Sequence, residues 1–169
     1  MTDDDGFAPF MASALPSLLR FGHVLTGDRH AAEELVQESL VRTCARWRRI
    51  RHDEPHAYVR RVMVNAWTSR WRRLGREVPL PEDWDLATRA DAPVWDERDR
   101  TLTALRLLPP RQRAVVVLRY YDDLSEKQIA DVLGCSTGTV KSQASRALKT
   151  LRAALAEEPA PAADEGVLQ

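Results

Sequence analysis

Several features that point to particular chemistries are scarce in this chain of 169 residues. Its two cysteines, Cys44 and Cys135, lie far apart and form no C-x-x-C pair, so the sequence does not support a disulfide framework or a thiolate zinc site. We interpret both as small buried apolar residues. There are only seven glycines, and the sequence contains neither a Walker-type phosphate loop nor a GxSxG motif. These scarcities argue against nucleotide-hydrolysing, serine-hydrolase and redox enzymes.

Long apolar runs are also missing. No run approaches the roughly 18 residues that a membrane-spanning helix requires. The N-terminal segment MTDDDGFAPF is acidic where a secretory signal would be basic. We therefore expect no membrane association and a cytoplasmic location.

Metal binding and acid–base catalysis have little support. His52 and His56 are four residues apart, but Pro55 interrupts the helix that would place them on one face, and no third ligand follows. The acids of segment 33–38 are expected on a helix surface. We predict no catalytic residue, no metal and no cofactor.

Charge of one sign is unevenly distributed, although the formal net charge is zero. Segment 42–73 holds ten arginines and two acids, and segment 111–155 holds eight bases and four acids. Between them, segment 76–100 holds eight acids and four arginines. The last segment, 157–169, has four acids and no base, and we predict a disordered tail there. Two basic blocks separated by acidic sequence favour a nucleic-acid partner.

The apolar spacing predicts helices throughout the N-terminal part. A first helix over 7–25 is expected to be interrupted at Pro16 and to stop at Gly27, and Asp28 is expected to cap a second helix that ends near Trp47. The predicted buried stripe of that second helix is Ala32, Leu35, Val36, Ser39, Leu40 and Thr43. A third helix over about 57–74 has the predicted stripe Val59, Val62, Met63 and Ala66.

The stretch LSEKQIADVLGCSTGTVKSQASRAL, residues 124–148, predicts two short helices joined tightly at Gly134. Ser125 and Gln128 have the spacing of a capping box, and Ser136 can cap the second helix. Such a pair is typical of a helix-turn-helix, in which the second helix enters a DNA major groove. The predicted apolar face of the second helix is Val140, Ala144, Ala147, Leu148, Leu151 and Leu155. Its predicted polar face is Thr139, Lys141, Ser142, Ser145, Arg146 and Lys149. An ordinary helical hairpin with a solvated face is the other interpretation.

The third helix also presents a polar face, formed by Arg61, Asn65, Thr68 and Arg72 and flanked by further arginines. Cations beside planar rings suit an unpaired nucleic-acid strand. Trp67 and Trp71 are interpreted as core residues, with stacking on bases as the alternative. The run AVVVLRYY is ambiguous between strand and helix, and Pro110 as a first helical residue favours a helix over 110–121.

The fold class that follows is all-α, with two small helical domains joined by an acidic linker. We predict the first domain at residues 1–75, the linker at 76–100 and a helix-turn-helix domain at 101–156. The linker tryptophans, Trp84 and Trp95, pack either within the chain or on a partner. Because each domain is small, each is expected to be marginal alone.

Three motifs carry a resemblance to a known family: AAEELVQESLVRTCARW, PHAYVRRVMVNAWTSRWRR and LPPRQRAVVVLRYYDDLSEKQIADVLGCSTGTVKSQASRALKTLR. With them the chain resembles the alternative sigma factors of bacterial RNA polymerase, of the extracytoplasmic-function type within the sigma-70 family, over about residues 7–155. The resemblance implies a non-enzymatic subunit that binds core RNA polymerase, directs it to specific promoters and helps to open minus-10 DNA in transcription initiation. Residues 1–75 would correspond to sigma region 2, and 101–156 to region 4.

The resemblance also implies site residues. Contacts to the β′ clamp helices of the polymerase, whose β and β′ subunits are the expected partners, would be made by Glu34, Leu35, Gln37, Glu38 and Val41. Contacts to the minus-10 element would be made by Arg51, His52, Arg60, Arg61, Asn65, Thr68 and Arg72. Contacts to the minus-35 element would be made by Thr139, Lys141, Ser142, Ser145 and Arg146. Gln143 stands where relatives often carry arginine, which leaves the base preference open, and whether an anti-sigma factor restrains the chain is also left open.

Three alternatives from other classes remain at this point. A free-standing helix-turn-helix regulator would bind duplex DNA without polymerase. A helical adaptor would bind no nucleic acid, and its interactions would be insensitive to salt. A metal or redox enzyme would depend on His52 or Cys44 and not on Arg61.

Overall fold

The computed structural model describes residues 6–50, 52–77 and 97–156. All regular structure in these residues is helical, which confirms the predicted all-α class. The helices are α1 (Phe7–Thr26), α2 (Arg29–Cys44), α3 (Trp47–Ile50), α4 (Pro55–Glu77), α5 (Glu97–Arg106), α6 (Pro110–Tyr120), α7 (Glu126–Leu133) and α8 (Thr137–Ala156). Most of the predicted linker, both of its tryptophans and the predicted tail lie outside the described residues.

Helix α1 runs continuously through Pro16, so the predicted interruption is wrong. Pro16 lies on the exposed side of the helix, where water can reach the carbonyl group that loses its amide donor. The predicted stop is confirmed, since Gly27 has a positive φ of 74° and donates its N–H to the His23 carbonyl at 2.8 Å. The backbone is tight here: a Cβ on Gly27 would lie 2.8 Å from Cγ of Arg106 and 2.9 Å from Nη1 of Arg113.

Helix α2 begins as predicted, with the Asp28 carboxylate accepting from the Ala31 N–H at 2.8 Å. All six residues of its predicted stripe are buried. The helix ends at Cys44, earlier than predicted, and Trp47 instead begins α3, where its ring packs against Phe7 and Phe10 of α1. The prediction that both cysteines are buried is wrong for Cys44, which is exposed because it follows the last buried residue of the stripe; Cys135 is half-buried.

Helix α4 is longer than predicted at both ends. Val59, Met63 and Ala66 are buried as predicted, whereas Val62 is half-buried. Trp67 is buried and packs edge-to-face with the half-buried Trp71, with ring centroids 5.6 Å apart, so the core interpretation is confirmed for Trp67.

The C-terminal helices begin and end close to the predicted residues. Pro110 begins α6, and both hydrogen bonds of the capping box between Ser125 and Gln128 are present. Gly134 ends α7 with a φ of 60°. The apolar face of α8 is buried at Val140, Ala144 and Ala147, half-buried at Leu148 and Leu151, and exposed at Leu155. The predicted stripe therefore reaches one turn too far.

The two halves of the chain share one hydrophobic core. Helices α1 and α4 of the N-terminal half contact α6 of the C-terminal half, and α4 also contacts α7. One cluster of buried side chains accordingly includes Leu18 and Met63 from the first half and Val117 and Ile129 from the second. The sequence predicts two small helical domains joined by a linker, and in the structure these two halves pack directly on each other.

Candidate nucleic-acid interface

Helix α8 presents a row of polar side chains because its opposite face is committed to the core. With Val140 and Ala144 buried, Lys141, Ser142, Ser145 and Arg146 are exposed, and Thr139 is half-buried. The structure therefore brings together all five residues predicted to contact the minus-35 element. We call this set the α8 face.

Local hydrogen bonds order the start of the α8 face. The Ser136 hydroxyl caps the helix by accepting from the Thr139 N–H at 3.1 Å, and it lies 2.9 Å from the Thr139 hydroxyl. Ser142 Oγ donates to the Thr139 carbonyl at 2.9 Å. These bonds position the hydroxyl groups before any ligand arrives.

Glu126 of α7 links two cations near this face. Its Oε1 accepts from Nη1 of Arg119 at 3.1 Å, and its Oε2 lies 3.6 Å from Nζ of Lys141. All three side chains are partly or largely exposed to water. Such pairs contribute little to stability, so Lys141 can leave Glu126 for a phosphate at low cost.

The residues predicted to contact the minus-10 element differ in exposure, unlike those of the α8 face. Arg61 and Asn65 are exposed, as is His52 in the turn before the helix. Thr68 is buried in this conformation, and its hydroxyl donates to the Val64 carbonyl at 2.8 Å, so its contact with a nucleic acid stays a prediction. An intrahelical bond of this kind satisfies a buried hydroxyl. Arg51 and the side chain of Arg72 lie outside the described part of the chain.

Arg60 differs from its neighbours because it is paired with the other half of the chain. Its Nε lies 2.8 Å from Oδ1 of Asp122, and the two side chains are 28% and 9% exposed. The two atoms are close without the alignment of a hydrogen bond, so the contact is an ion pair. Burial raises the pKa of the Asp122 carboxyl above its ordinary value of 3.8, and the positive charge of Arg60 offsets this only in part.

The outer face of α2 carries four of the five residues predicted to contact the polymerase. Glu34, Gln37, Glu38 and Val41 are exposed, with Val41 at 71%. Leu35 is buried in the α1–α2 core, as its place in the apolar stripe predicts, and its contact with a partner stays a prediction. Two basic side chains lie beside the acids: Arg70 Nη1 is 3.7 Å from Glu34, and Arg42 Nη2 is 2.6 Å from Glu38.

Sequence reasoning missed two residues at the contact between the halves. Neither Asp122 nor Arg113 was singled out from the sequence, and Arg113 counted only as part of the basic segment 111–155. Arg113 is 4% exposed, and its guanidinium donates to the carbonyls of Thr26, Arg106 and Leu108 at 2.7, 2.9 and 3.1 Å. A weak hint existed for Arg113, since it directly precedes the apolar run AVVVL on a helix.

Neither metal sites nor membrane spans are found within the described ranges. No group of three or more histidine, cysteine, aspartate or glutamate side chains there could hold a metal ion. Among the described helices, none combines the length and apolarity of a bilayer span.

Comparison with known proteins identifies the family. Residues 10–77 match the family model for sigma-70 region 2, and residues 98–151 match the model for sigma-70 region 4. The chain is 41% identical over 152 residues to the RNA polymerase sigma-E factor of Streptomyces coelicolor, which covers 86% of this chain and 84% of that protein. It is 34% identical over 149 residues to the ECF RNA polymerase sigma factor SigE of Mycolicibacterium smegmatis, covering 82% of this chain and 57% of that one.

A solved structure is similar to this chain in its fold. The sigma factor RpoE of Bartonella quintana, crystallised with the anti-sigma factor NepR, aligns over 88% of this chain and 96% of its own with a TM-score of 0.61 and 29% identity. With both regions of the family present in order, the chain belongs to the sigma-70 family and is an alternative sigma factor of the extracytoplasmic-function type.

Proposed function

We propose that this sigma factor binds core RNA polymerase through the outer face of α2, contacts minus-10 DNA with α4 and reads the minus-35 element with the α8 face. The role is that of a promoter-specificity subunit and not of an enzyme, and it places the chain in the cytoplasm with the transcription machinery. Three regions carry it: residues 1–75 for polymerase and minus-10 binding, 76–100 as linker, and 101–156 for minus-35 binding.

The observation that carries the proposal is the α8 face. Its exposed donors lie on α8, whose other side is buried in the core. Helix α8 is the second helix of the helix-turn-helix, and the first, α7, begins with a capping box. Lysine, arginine, serine and threonine side chains donate to phosphates and to the acceptor groups of the major groove. A rigid helix carrying such groups is what groove reading requires.

The minus-10 contact is supported by Arg61 and Asn65, which are exposed one turn apart on α4, and by the basic residues around them. Arg60 belongs to the same surface, although it is paired with Asp122 in this conformation. For the polymerase contact, support comes from Val41: an apolar side chain with 71% exposure beside polar residues is typical of a protein interface.

An anti-sigma factor is a further proposed partner. The structurally similar Bartonella sigma factor was crystallised with one. Binding of this kind would compete with polymerase or DNA for the same surfaces.

Reconstitution with core polymerase on a library of genomic fragments tests the proposal. Transcripts with defined start sites should appear only when the chain is added. Arg146→Ala should reduce their yield about tenfold, the loss expected for one base-reading arginine. Arg152→Ala is the matched control, because Arg152 is exposed farther along the same helix, and it should retain most of the activity.

The polymerase contact is tested separately with Val41→Asp. This change should weaken binding to core polymerase, whereas Ala12→Asp, an equal change on the exposed side of α1, should not. Tight and specific duplex binding without polymerase, together with no core-dependent transcript, would instead favour a free-standing regulator.

A further inference from the structure

Glu126 is an acid placed among the cations of the helix-turn-helix. It is the first residue of α7, and its two carboxylate oxygens face different helices: one accepts from Nη1 of Arg119 at 3.1 Å, and the other lies 3.6 Å from Nζ of Lys141. Its side chain is 32% exposed, against 38% for Arg119 and 67% for Lys141. Glu126 therefore links the ends of α6 and α7 to the α8 face.

The carboxylate of Glu126 is held from more than one direction. The Arg119 guanidinium that donates to it also lies over the ring of Tyr120, 5.9 Å from the ring centroid. The start of α7 is fixed by the capping box at Ser125, and an acid in the first turn of a helix is stabilised by the helix dipole. Lys141 is the most exposed member of the group, so the carboxylate is the fixed partner and the ammonium the adjustable one.

A carboxylate at this position works against DNA affinity. Helix α8 carries no acid of its own, and Glu126 places a negative charge where phosphates of a bound duplex would approach. A lysine without such a neighbour is a flexible point charge that any phosphate can satisfy, which gives affinity without sequence preference. Specificity can instead be gained by disfavouring the wrong contact, even when total affinity falls.

We propose that Glu126 is a positioning residue for promoter reading, which competes with backbone phosphates for Lys141 and so directs its ammonium to base acceptors. This inference rests on the proposed function of the α8 face. An ammonium group has three donors, so Lys141 can remain paired with Glu126 and still donate to O6 or N7 of a guanine. The pair is weak in water, and it therefore biases the contacts of Lys141 by a few-fold without locking them.

Base preference at single positions tests this role. Core polymerase carrying the full chain is allowed to select from a duplex pool that is randomised over the minus-35 region of a promoter recovered by reconstitution, and the bound duplexes are sequenced. Lys141→Met identifies the position that Lys141 reads, because preference is lost there. Glu126→Gln keeps the shape of the side chain and removes its charge, and it should lower the preference at that same position about threefold. A change that merely loosened the helix-turn-helix would weaken the preference at all positions alike.

Three further variants separate positioning from net charge. In the Lys141→Met background, Glu126→Gln should have no further effect at that position, because the residue through which it acts is gone. Asp131→Asn makes the same charge change at an exposed position of α7 and should leave every preference unchanged. Arg119→Met changes the charge in the opposite direction, yet it should also lower the preference at the Lys141 position, because Glu126 loses the partner that holds it.

The positioning role is overturned if Glu126→Gln changes no position, changes all positions alike, or acts equally without Lys141. It is also overturned if Lys141→Met alters no position. The proposed function is judged separately by Arg146→Ala in the same selection. A base preference changed by Arg146→Ala leaves minus-35 reading by α8 standing, whereas no change at any position in either variant refutes that function as well.

Discussion

Helices α4 and α8 carry the two proposed DNA-binding surfaces, and the structure treats them differently. On α8, four of the five predicted contact residues are exposed and the fifth is half-buried. On α4, Thr68 is turned inward to Val64, and Arg60 is paired with Asp122 of the opposite half. The α8 surface is therefore complete in the isolated chain, whereas the α4 surface is partly used for packing.

The difference follows from what each helix packs against. Helix α8 packs against α5, α6 and α7, all from its own half, so its outer side stays free. Helix α4 packs against α1 and α2 on one side and against α6 and α7 on another, which leaves less of its circumference for a ligand. For α4 to bind DNA with its whole polar face, its contact with α6 and α7 must first separate.

Phe21→Ala should have the largest effect, because it removes a fully buried ring that packs against Tyr121 of the other half. We expect the free energy of unfolding to fall by about 4 kcal/mol, as for other fully buried phenylalanines, and the halves to separate. Urea unfolding measures the loss of stability, and the distance between spin labels placed in the two halves measures their separation. Phe10→Ala is the control: Phe10 is half-buried on the same helix but faces Trp47, so it should cost less and leave the distance unchanged.

Arg113→Met should lower the free energy of unfolding by about 3 kcal/mol, since several buried carbonyls lose a charged donor. The measurement is again urea unfolding. Arg111→Met, at an exposed position on the same helix, should change stability by less than about 0.5 kcal/mol. Equal losses for the two variants would contradict the role given to the Arg113 hydrogen bonds.

Ser125→Ala tests whether the α8 face depends on its helix-turn-helix support. Loss of the capping box should cost about 1 kcal/mol, measured by thermal unfolding, without separating the halves. Lys127→Ala changes an exposed residue of the same helix and should leave stability nearly unchanged. If Ser125→Ala opened the chain, the comparison between the two surfaces would fail.

The smallest effect concerns pH. Because folding raises the pKa of Asp122, the stability that its protonated form contributes is complete below the ordinary value of 3.8 and is lost as pH rises through the folded-state pKa. The unfolding free energy of the wild-type chain, relative to Asp122→Asn, should fall across that window. Asp131→Asn, at an exposed position of α7, should follow the wild-type profile, and an identical profile for Asp122→Asn would refute the assignment.

Local features of the fold could be predicted because their causes are local. The Asp28 cap, the Ser125 capping box and the glycine at the end of α7 each depend on residues within one turn. The apolar stripe of α2 follows from helical period alone. The α8 face follows in turn, because α8 buries one stripe and its other side stays exposed.

The contact between the halves could not be predicted in the same way. Arg113 donates to carbonyls of residues 87 and 88 positions earlier in the chain. A contact at that separation leaves no periodic pattern in the sequence from which it could be inferred. Asp122 was overlooked for the same reason, because its partner Arg60 lies on a helix of the other half. The charge blocks of the sequence also give no sign of this packing, which is set largely by apolar side chains such as Phe21.

Gly27 limits which residues the end of α1 can accept. Because a Cβ there would lie 2.8 Å from Cγ of Arg106 and 2.9 Å from Nη1 of Arg113, any side chain would disturb the contact between the halves. A substitution at this one position would therefore alter the packing of the chain while leaving every residue of the α8 face unchanged.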